Sequence, residues 1–488
     1  MYGGGTYYQP TSRYVLFFVS TTTAKWCGVG EVTIETLPDY VLLQTFSFCR
    51  RVTYSSAPMW IMWWRPLTHV CRRWRQIVFS SPRGLHLVIF CDLSTPVRES
   101  LNIWPPFFIS VHHHDHRYGP DHGPDEGSEN TVAALELHDR VSDISIDIDG
   151  MPVGVSALER LAAAMLEPFP ELTYLYLGYG GDITPVLPDA FLGGFAPSLQ
   201  NLELFNIAFP ALPVLLLSAT RLTSLQLWNT PITGYILPEA MATCLAALPS
   251  LEILCIEFQS YPDHISSSSL TRAILPSLTS FHFDGIGEYA ENLVARIDAP
   301  ILRTLSIIFF DVVFRIPQLY RFLSCVEKFQ PPNGVVVEFE TWKIDFKFIP
   351  SDNVSLTIGC DDLVEQVSSV AAICRDLSPL LSRVERLDLL GKHLPLFPFL
   401  QGDPVPTSLD WLELFYPFIA VKSLYVSKKL GPIVAPALEE LTKEGATAVL
   451  PKLRTLLMEE LQPTGSVRES IEAFLATRRL SDHPVTFQ

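Results

Sequence analysis

The chain has 488 residues, of which 48% are hydrophobic, and its formal net charge is −17. This length allows a large buried core and more than one compact domain. The acidic charge excludes the basic footprint of a nucleic-acid-binding protein and opposes adhesion to anionic lipid, and 11% aromatic residues exclude a chain that is disordered throughout. We therefore expect neither a nucleic acid nor a membrane as a partner.

The N-terminal residues 1–36 are predicted to form a poorly structured leader. Their apolar patch, from Tyr14 to Val19, is too short to span a membrane or to form a usual signal core. The nine cysteines of the chain are widely spaced and include no C-x-x-C pair, which indicates reduced thiols. We expect a soluble protein of the cytoplasm or nucleus.

Residues 37–86 are predicted to form a small helical domain. Leu37 and Pro38 precede a short helix, and the polar stretch after Phe46 is expected to be a loop. A second helix is expected from Trp60 to Phe79. Apolar residues at helical spacing form one stripe along it, namely Leu67, Val70, Cys71, Trp74, Ile77 and Val78. The stripe is either the inward face of an ordinary helix or an apolar docking surface.

Residues 87–135 are predicted to be a connecting segment with a loop rich in His, Asp and Gly. The run from His112 to His116, with His122 nearby, contains residue types that can ligate metal ions. Adjacent histidines in a flexible loop rarely hold the geometry of a dedicated site. We therefore predict a solvated loop here and no metal site.

One apolar pattern recurs from residue 136 onward and predicts the fold of the C-terminal domain. Each copy has apolar residues at its first, fourth and sixth positions, and copies between residues 141 and 302 start 23 to 31 residues apart. This is the signature of leucine-rich repeats, in which single strands cannot bury their apolar side and stack into a parallel sheet. The copies start at Val141, Leu172, Leu199, Leu222, Leu251, Leu278, Leu302, Val384, Val421 and Leu453.

The predicted fold class is therefore α/β, with a small helical domain followed by an irregular leucine-rich repeat solenoid at residues 136–488. Parallel strands are expected on its concave face and helices on its convex face. Helices are expected at residues 155–166, from Pro317 and at 363–374, and a helix from about residue 468 is expected to cap the end. Between about 330 and 360, two strand-like stretches fit no copy of the repeat.

Residues 37–86 resemble the F-box. The resemblance is carried by Leu37-Pro38, by the helix from Val41 to Phe46, and by the run from Val70 to Arg75. With the repeats that follow, the chain after residue 36 is similar to F-box proteins of mushroom-forming fungi, in which a divergent leucine-rich repeat domain follows the F-box. This chain departs from the pattern in the longer stretch before Leu67 and in the aromatic residues 58–64.

The resemblance implies a substrate-recognition adaptor of a Skp–cullin–F-box type ubiquitin ligase. The F-box would dock onto the Skp-type linker subunit, and through it onto a cullin–RING ligase, by placing apolar anchors in a groove. The repeats would capture a protein substrate, which the sequence does not identify. Carried over by position, the linker-binding residues are Leu37, Pro38, Val41, Leu42, Leu67, Val70, Cys71 and Trp74.

The substrate is expected to bind the concave face. Residues between and beside the apolar positions of each repeat point away from the core, and they include Glu203, Glu257, His282 and Asp284. Aromatic side chains are enriched at interaction hot spots. Four of them form a strip across three neighbouring repeats: Tyr174, Tyr176, Phe205 and Trp228. The alternative is that neighbouring loops cover this strip.

No motif indicates catalysis or a cofactor. The Gly391-Lys392 pair lacks the first glycine and the Ser or Thr of a P-loop, and there is no Rossmann fingerprint, nucleophile elbow or zinc-protease motif. Asp143 and Asp147 alternate with isoleucines, which indicates a half-exposed strand. We expect a protein that is not an enzyme. The alternative to the adaptor is a repeat scaffold that binds a partner without any link to ubiquitin.

Overall fold

In the computed structural model, the chain divides into two compact units, Met1–Gly84 and Leu85–Gln488. Of the leader expected at residues 1–36, only Ile34–Thr36, a turn of 3₁₀ helix, lies within the described residues. The structure describes residues 34–53, 65–80, 86–91, 97–103, 108–114, 125–148, 152–260, 272–310, 315–326, 329, 332–349, 353–392, 394, 406–443, 449–459 and 465–488.

The described part of the first unit is helical, with α1 at Asp39–Thr53, α2 at Arg65–Thr68 and α3 at Arg72–Ser80. Helix α1 continues past the point where a loop was expected, because no glycine or proline interrupts residues 47–53. The second predicted helix is divided at residues 69–71. Cys71 Sγ accepts a hydrogen bond from the backbone N–H of Trp74 at 3.4 Å and so caps the start of α3.

Among the described residues, the second unit is built on one sheet of sixteen strands and a separate pair, β8 and β10. The strands are β1 (His86–Phe90), β2 (Phe108–His114), β3 (Val141–Ile148), β4 (Tyr174–Tyr179), β5 (Asn201–Phe205), β6 (Ser224–Thr230), β7 (Ile253–Phe258), β8 (Ala273–Ile274), β9 (Ser280–Gly285), β10 (Ile297–Asp298), β11 (Thr304–Phe309), β12 (Gly334–Phe339), β13 (Lys343–Ile349), β14 (Val354–Gly359), β15 (Arg386–Gly391), β16 (Ser423–Val426), β17 (Thr455–Met458) and β18 (Thr486–Phe487).

Short helices lie between these strands along the chain. Several have proline at their first or second position, where the first turn leaves the N–H unpaired and its loss costs nothing. The helices of the second unit are α4 (Val97–Ile103), α5 (Asp125–Leu135), α6 (Pro152–Ala164), α7 (Leu212–Ser218), α8 (Pro238–Ala246), α9 (Gly287–Val294), α10 (Pro317–Cys325), α11 (Leu363–Asp376), α12 (Ser378–Leu381), α13 (Ser408–Phe415), α14 (Gly431–Lys443) and α15 (Ser466–Leu480).

The sheet confirms the main prediction from the repeats. All ten copies contain a strand of this one sheet. Strands of successive copies pair in parallel, in register at their apolar positions, except β11 and β15, which three other strands separate. The apolar residues of the pattern form the core; Leu175, Leu202, Leu225 and Leu254, for example, are at most 1% exposed. The fold is a mixed α/β structure with a large parallel sheet of the leucine-rich repeat type.

The sheet starts earlier than the repeat pattern indicated. Strands β1 and β2 pair in parallel with each other, and β2 pairs with β3. Residues 87–135, expected to be only a connecting segment, therefore supply strands and helices of the second unit. The repeat pattern missed them because β1 (HLVIF) and β2 (FISVHHH) lack the apolar spacing of the later copies, and β2 ends in three histidines.

The irregular residues between 330 and 360 form an insertion of three strands. In the sheet, β14 pairs with β11 and β12 pairs with β15, both in parallel, while β13 lies between β14 and β12 and is antiparallel to both. The two predicted strands are thus present, together with a third, β13, that the sequence had not indicated. The insertion continues the sheet without breaking its hydrogen-bond ladder.

Candidate functional site

One side of the sheet is buried and the other is partly accessible from β3 to β11. In β4, Leu175 and Leu177 are buried, whereas the alternate residues Tyr174 and Tyr176 are half-buried. The same alternation occurs in β5 and β9. We call the accessible side the open face. Its larger side chains are Asp143, Asp147, Tyr174, Tyr176, Glu203, Phe205, Gln226, Trp228, Glu257, His282 and Asp284.

The four aromatic residues predicted from the sequence lie together on the open face. Phe205 is paired in register with Trp228 of the next strand, and its side chain is 38% exposed. Trp228 continues the strip in the other direction, since its ring centre is 5.7 Å from that of His282, two strands away. The sequence had listed His282 as outward-facing without including it in the strip. This contact crosses an intervening strand, so the sequence alone could not indicate it, and only the pairing of the strands in the structure reveals it.

The small residue Gly178 determines how one end of the strip is arranged. A Cβ at this position would lie 2.5 Å from the hydroxyl oxygen of Tyr176 and 2.7 Å from Oδ1 of Asp147. The tyrosine hydroxyl and the carboxylate therefore both lie over the glycine, and any larger residue at this position would displace at least one of them. Burial, together with the charge of Asp147, raises the pKa of Tyr176 to about 12, so the hydroxyl is protonated at neutral pH.

Three carboxylates of the open face, Glu203, Glu257 and Asp284, are partly desolvated. Burial raises the pKa of Glu203, although a hydrogen bond from the Trp228 indole opposes the shift, and burial also raises the pKa of Glu257. Burial, and secondly the charge of Glu257, raise the pKa of Asp284 to about 7. Oδ1 of Asp284 is buried and has no hydrogen-bond partner among the described residues.

The same side of the sheet has a different character at the three-strand insertion. Here the buried carboxylates are matched by cations: Asp345 pairs with Lys343 at 3.0 Å and Lys347 at 3.4 Å, and Glu338 pairs with Lys347 and Lys392. Oxygen atoms of Glu338, Glu340 and Asp345 lie within 4.8 Å of one another, a spacing that could suit a metal ion. The lysines already neutralise this cluster, so we interpret it as an ion-pair network.

The eight residues predicted to bind a linker subunit differ in accessibility. Pro38, Val70 and Cys71 are exposed, and the side chain of Val70 is 58% exposed. Leu42 is 1% exposed and belongs to the core of the first unit. The other four are half-buried: Leu37, Val41, Leu67 and Trp74.

Two contacts fix the arrangement of helices α1 and α3. The Trp74 ring lies 4.8 Å from that of Phe46, centre to centre. The Arg73 guanidinium donates to the backbone oxygen of Leu37 at 2.6 Å and to the Asp39 carboxylate at 2.6 Å. The segment before α1, which carries the Leu-Pro pair of the resemblance, is thereby held against α3.

The histidine run does not form the solvated loop that was expected at its start. His112 and His113 lie in β2 and are 9% and 2% exposed, and Nδ1 of His113 is 3.0 Å from the Thr131 hydroxyl. Pairing with β1 and β3 draws this stretch into the sheet, which local composition could not indicate. Asp115, His116 and His122 lie outside the described residues.

None of the helices that the structure describes is both long enough and apolar enough to cross a membrane. No family model matches the chain, and no curated protein matches it. Among solved structures, it is similar to the leucine-rich repeat-containing protein LegL7 from Legionella pneumophila, with 12% identity and a TM-score of 0.24. The match covers 80% of this chain and 97% of that chain. A score this low carries no argument about function.

Proposed function

We propose that this protein is a non-catalytic interaction protein whose repeat unit captures a protein partner on the open face. The observation that carries the proposal is the strip formed by Tyr174, Tyr176, Phe205 and Trp228, which the His282 ring extends, since tyrosine and tryptophan are among the residue types that dominate binding hot spots. Parallel repeat sheets offer such extended surfaces for partners. A site for small-molecule chemistry has no comparable support.

We further propose that the first unit docks the Skp-type linker subunit of a cullin–RING ubiquitin ligase, which makes the protein a substrate-recognition adaptor. Support comes from the F-box-like residues and from the exposure of Pro38, Val70 and Cys71, which leaves apolar atoms available to a partner. The adaptor would act by proximity, raising the effective concentration of a target lysine near the conjugating enzyme. The protein would act in the cytoplasm or nucleus, consistent with free thiols at the seven cysteines whose side chains the structure describes.

A pulldown of the full chain with a purified Skp-type linker subunit tests the adaptor role. Val70→Asp places a charge on an exposed apolar position and is expected to abolish retention of the linker subunit without unfolding the helices. Leu480→Asp is the matched control, because Leu480 is 89% exposed at the end of α15 in the other unit. If the wild-type chain retains no linker subunit, the repeat scaffold without a ligase becomes the better proposal.

The open face is tested separately by the double variant Tyr176→Ala and Trp228→Ala. It is expected to lose partner capture while keeping its urea unfolding midpoint within the range of other surface variants, because neither ring belongs to the apolar core. Unchanged capture by this variant would remove the aromatic strip from the proposal.

A further inference from the structure

The strands of the open face carry acidic residues but no lysine or arginine. The seven strands β3, β4, β5, β6, β7, β9 and β11 are fully described, and none of their residues is lysine or arginine. The same strands carry five carboxylates on the accessible side: Asp143, Asp147, Glu203, Glu257 and Asp284. Asp143 accepts hydrogen bonds from the Ser110 and Ser142 hydroxyls, so part of its charge is dispersed within the chain.

The carboxylates alternate with the aromatic rings instead of forming a separate cluster. Glu203 lies in register between Tyr176 and Gln226 and accepts the Trp228 indole hydrogen bond. Trp228 is on β6, between the strands that carry Glu203 and Asp284, and its ring lies near that of His282, which is two residues before Asp284 on β9. A cation here would meet carboxylate oxygens and the faces of aromatic rings together, and both attract positive charge.

The surroundings of Asp284 indicate that its carboxylate lacks a positively charged partner within the described part of the chain. The pKa of Asp284 is raised because its carboxyl is partly removed from water and lies beside Glu257, and its buried Oδ1 has no described partner. The neighbouring positions of the described strands do not supply a positive charge to Asp284. Its register partner on β11 is Ile308, and burial lowers the pKa of His282 on its own strand, which favours the neutral ring. A cation supplied by a partner would relieve the cost of ionising Asp284.

The insertion in the same sheet shows how this chain neutralises a carboxylate for structural purposes. Asp345 lies in the register row that runs from Asp284 through Ile308 and Thr357, and two lysines pair with it. In this row, the buried carboxylate of Asp345 is therefore neutralised by Lys343 and Lys347 of the same strand. By contrast, no lysine or arginine lies on the strands that carry Glu203, Glu257 and Asp284 or on the neighbours of those strands in the sheet.

We propose that the partner of the open face binds through a segment rich in lysine and arginine, whose cationic groups pair with Glu203, Glu257 and Asp284 and lie over Trp228. The proposal rests on the function proposed above, because it names the chemistry of the partner that this sheet captures. The net charge of −17 favours the encounter at long range, but the face supplies the specific contacts.

Fluorescence anisotropy with the full chain tests this, using a fluorescein-labelled octapeptide of alternating lysine and arginine at physiological salt. The face variant Glu203→Gln/Asp284→Asn is expected to bind about tenfold more weakly than wild type, because each lost charge pair is partly desolvated. It is expected to remain folded, since burial already favours the neutral form of both groups. Glu171→Gln/Asp189→Asn removes the same charge from exposed positions elsewhere, and less than a twofold loss is expected.

Equal losses in the two variants would overturn the proposal, because binding would then follow net charge alone. A parallel capture from cell extract separates this failure from that of the proposed function. If wild type and face variant capture the same proteins equally, the cationic segment is refuted while protein binding stands. If the wild-type chain captures none, the interaction function itself is refuted.

Discussion

Replacing Asn206 by alanine is expected to lower the free energy of unfolding of the repeat unit by about 3–5 kcal/mol, although Asn206 is polar and lies just beyond the end of β5. Its side chain joins three repeats. Nδ2 donates to the backbone oxygens of Tyr179 at 3.0 Å and Gly181 at 2.8 Å, and Oδ1 accepts from Nε2 of Gln259 at 2.6 Å. Asn206 is 5% exposed, so water cannot replace these partners.

The magnitude follows from two contributions. Each of the three hydrogen bonds is worth about 0.5–1.5 kcal/mol, and truncation leaves buried acceptors without a donor. The backbone of Asn206 has a φ of 55°, in the left-handed region that asparagine tolerates and alanine disfavours by about 1–2 kcal/mol. Asn229 occupies the equivalent position one repeat later, with a φ of 51°.

Urea unfolding followed by far-ultraviolet circular dichroism measures the effect. Asn206→Gly is the informative control, since glycine loses the same hydrogen bonds but accepts the left-handed backbone, and it is expected to be about 1 kcal/mol more stable than the alanine variant. The backbone N–H of Asn206, which donates to the Trp228 oxygen at 3.0 Å, is retained in both variants, so the comparison isolates the side chain and the backbone conformation. An alanine variant as stable as wild type would refute the reasoning.

Three further changes test other parts of the structure. Leu177→Ala truncates a core side chain that is 1% exposed and is expected to cost about 2–5 kcal/mol in urea unfolding; a loss below 1 kcal/mol would contradict the assigned core. Arg73→Ala removes the donor to the Leu37 oxygen and is expected to cost about 1 kcal/mol, seen as faster amide exchange in α1 and α3 but not in the repeats. Burial alone would raise the pKa of Asp345, but hydrogen bonds from Thr357 and Lys343 and nearby lysine charge outweigh it, so the pKa is lowered. The ionised Asp345 therefore stabilises the fold above the unfolded-state pKa of about 3.9, and this stabilisation is lost as the pH falls through the lower folded-state value. In Asp345→Asn, the free energy of unfolding should fall less steeply over this acidic range. An unchanged fall would exclude Asp345 as its source.

The repeats could be predicted from sequence because their signal is local and repeated. Leu202 and Leu204, for instance, share a side of β5, and each further copy adds the same evidence. The start of the sheet could not be read in this way. His112 and His113 are polar by composition, and only pairing with strands distant in sequence buries them. The contact between Trp228 and His282 was hidden for the same reason, since it spans two strand positions.

The three-strand insertion accounts for both the irregular repeat and the change in charge along the sheet. An insertion into a stack of parallel strands must leave each neighbour a parallel partner, and an odd number of strands with an antiparallel one at the centre meets this condition. Strands β14 and β12 therefore pair with β11 and β15 as ordinary repeats would. The central strand places Asp345 and its two lysines on this side of the sheet, whereas the strands that carry Glu203, Glu257 and Asp284 have no lysine or arginine. The insertion thus ends the open face, and the counter-charges proposed for a cationic partner, Glu203, Glu257 and Asp284, all lie on the N-terminal side of it.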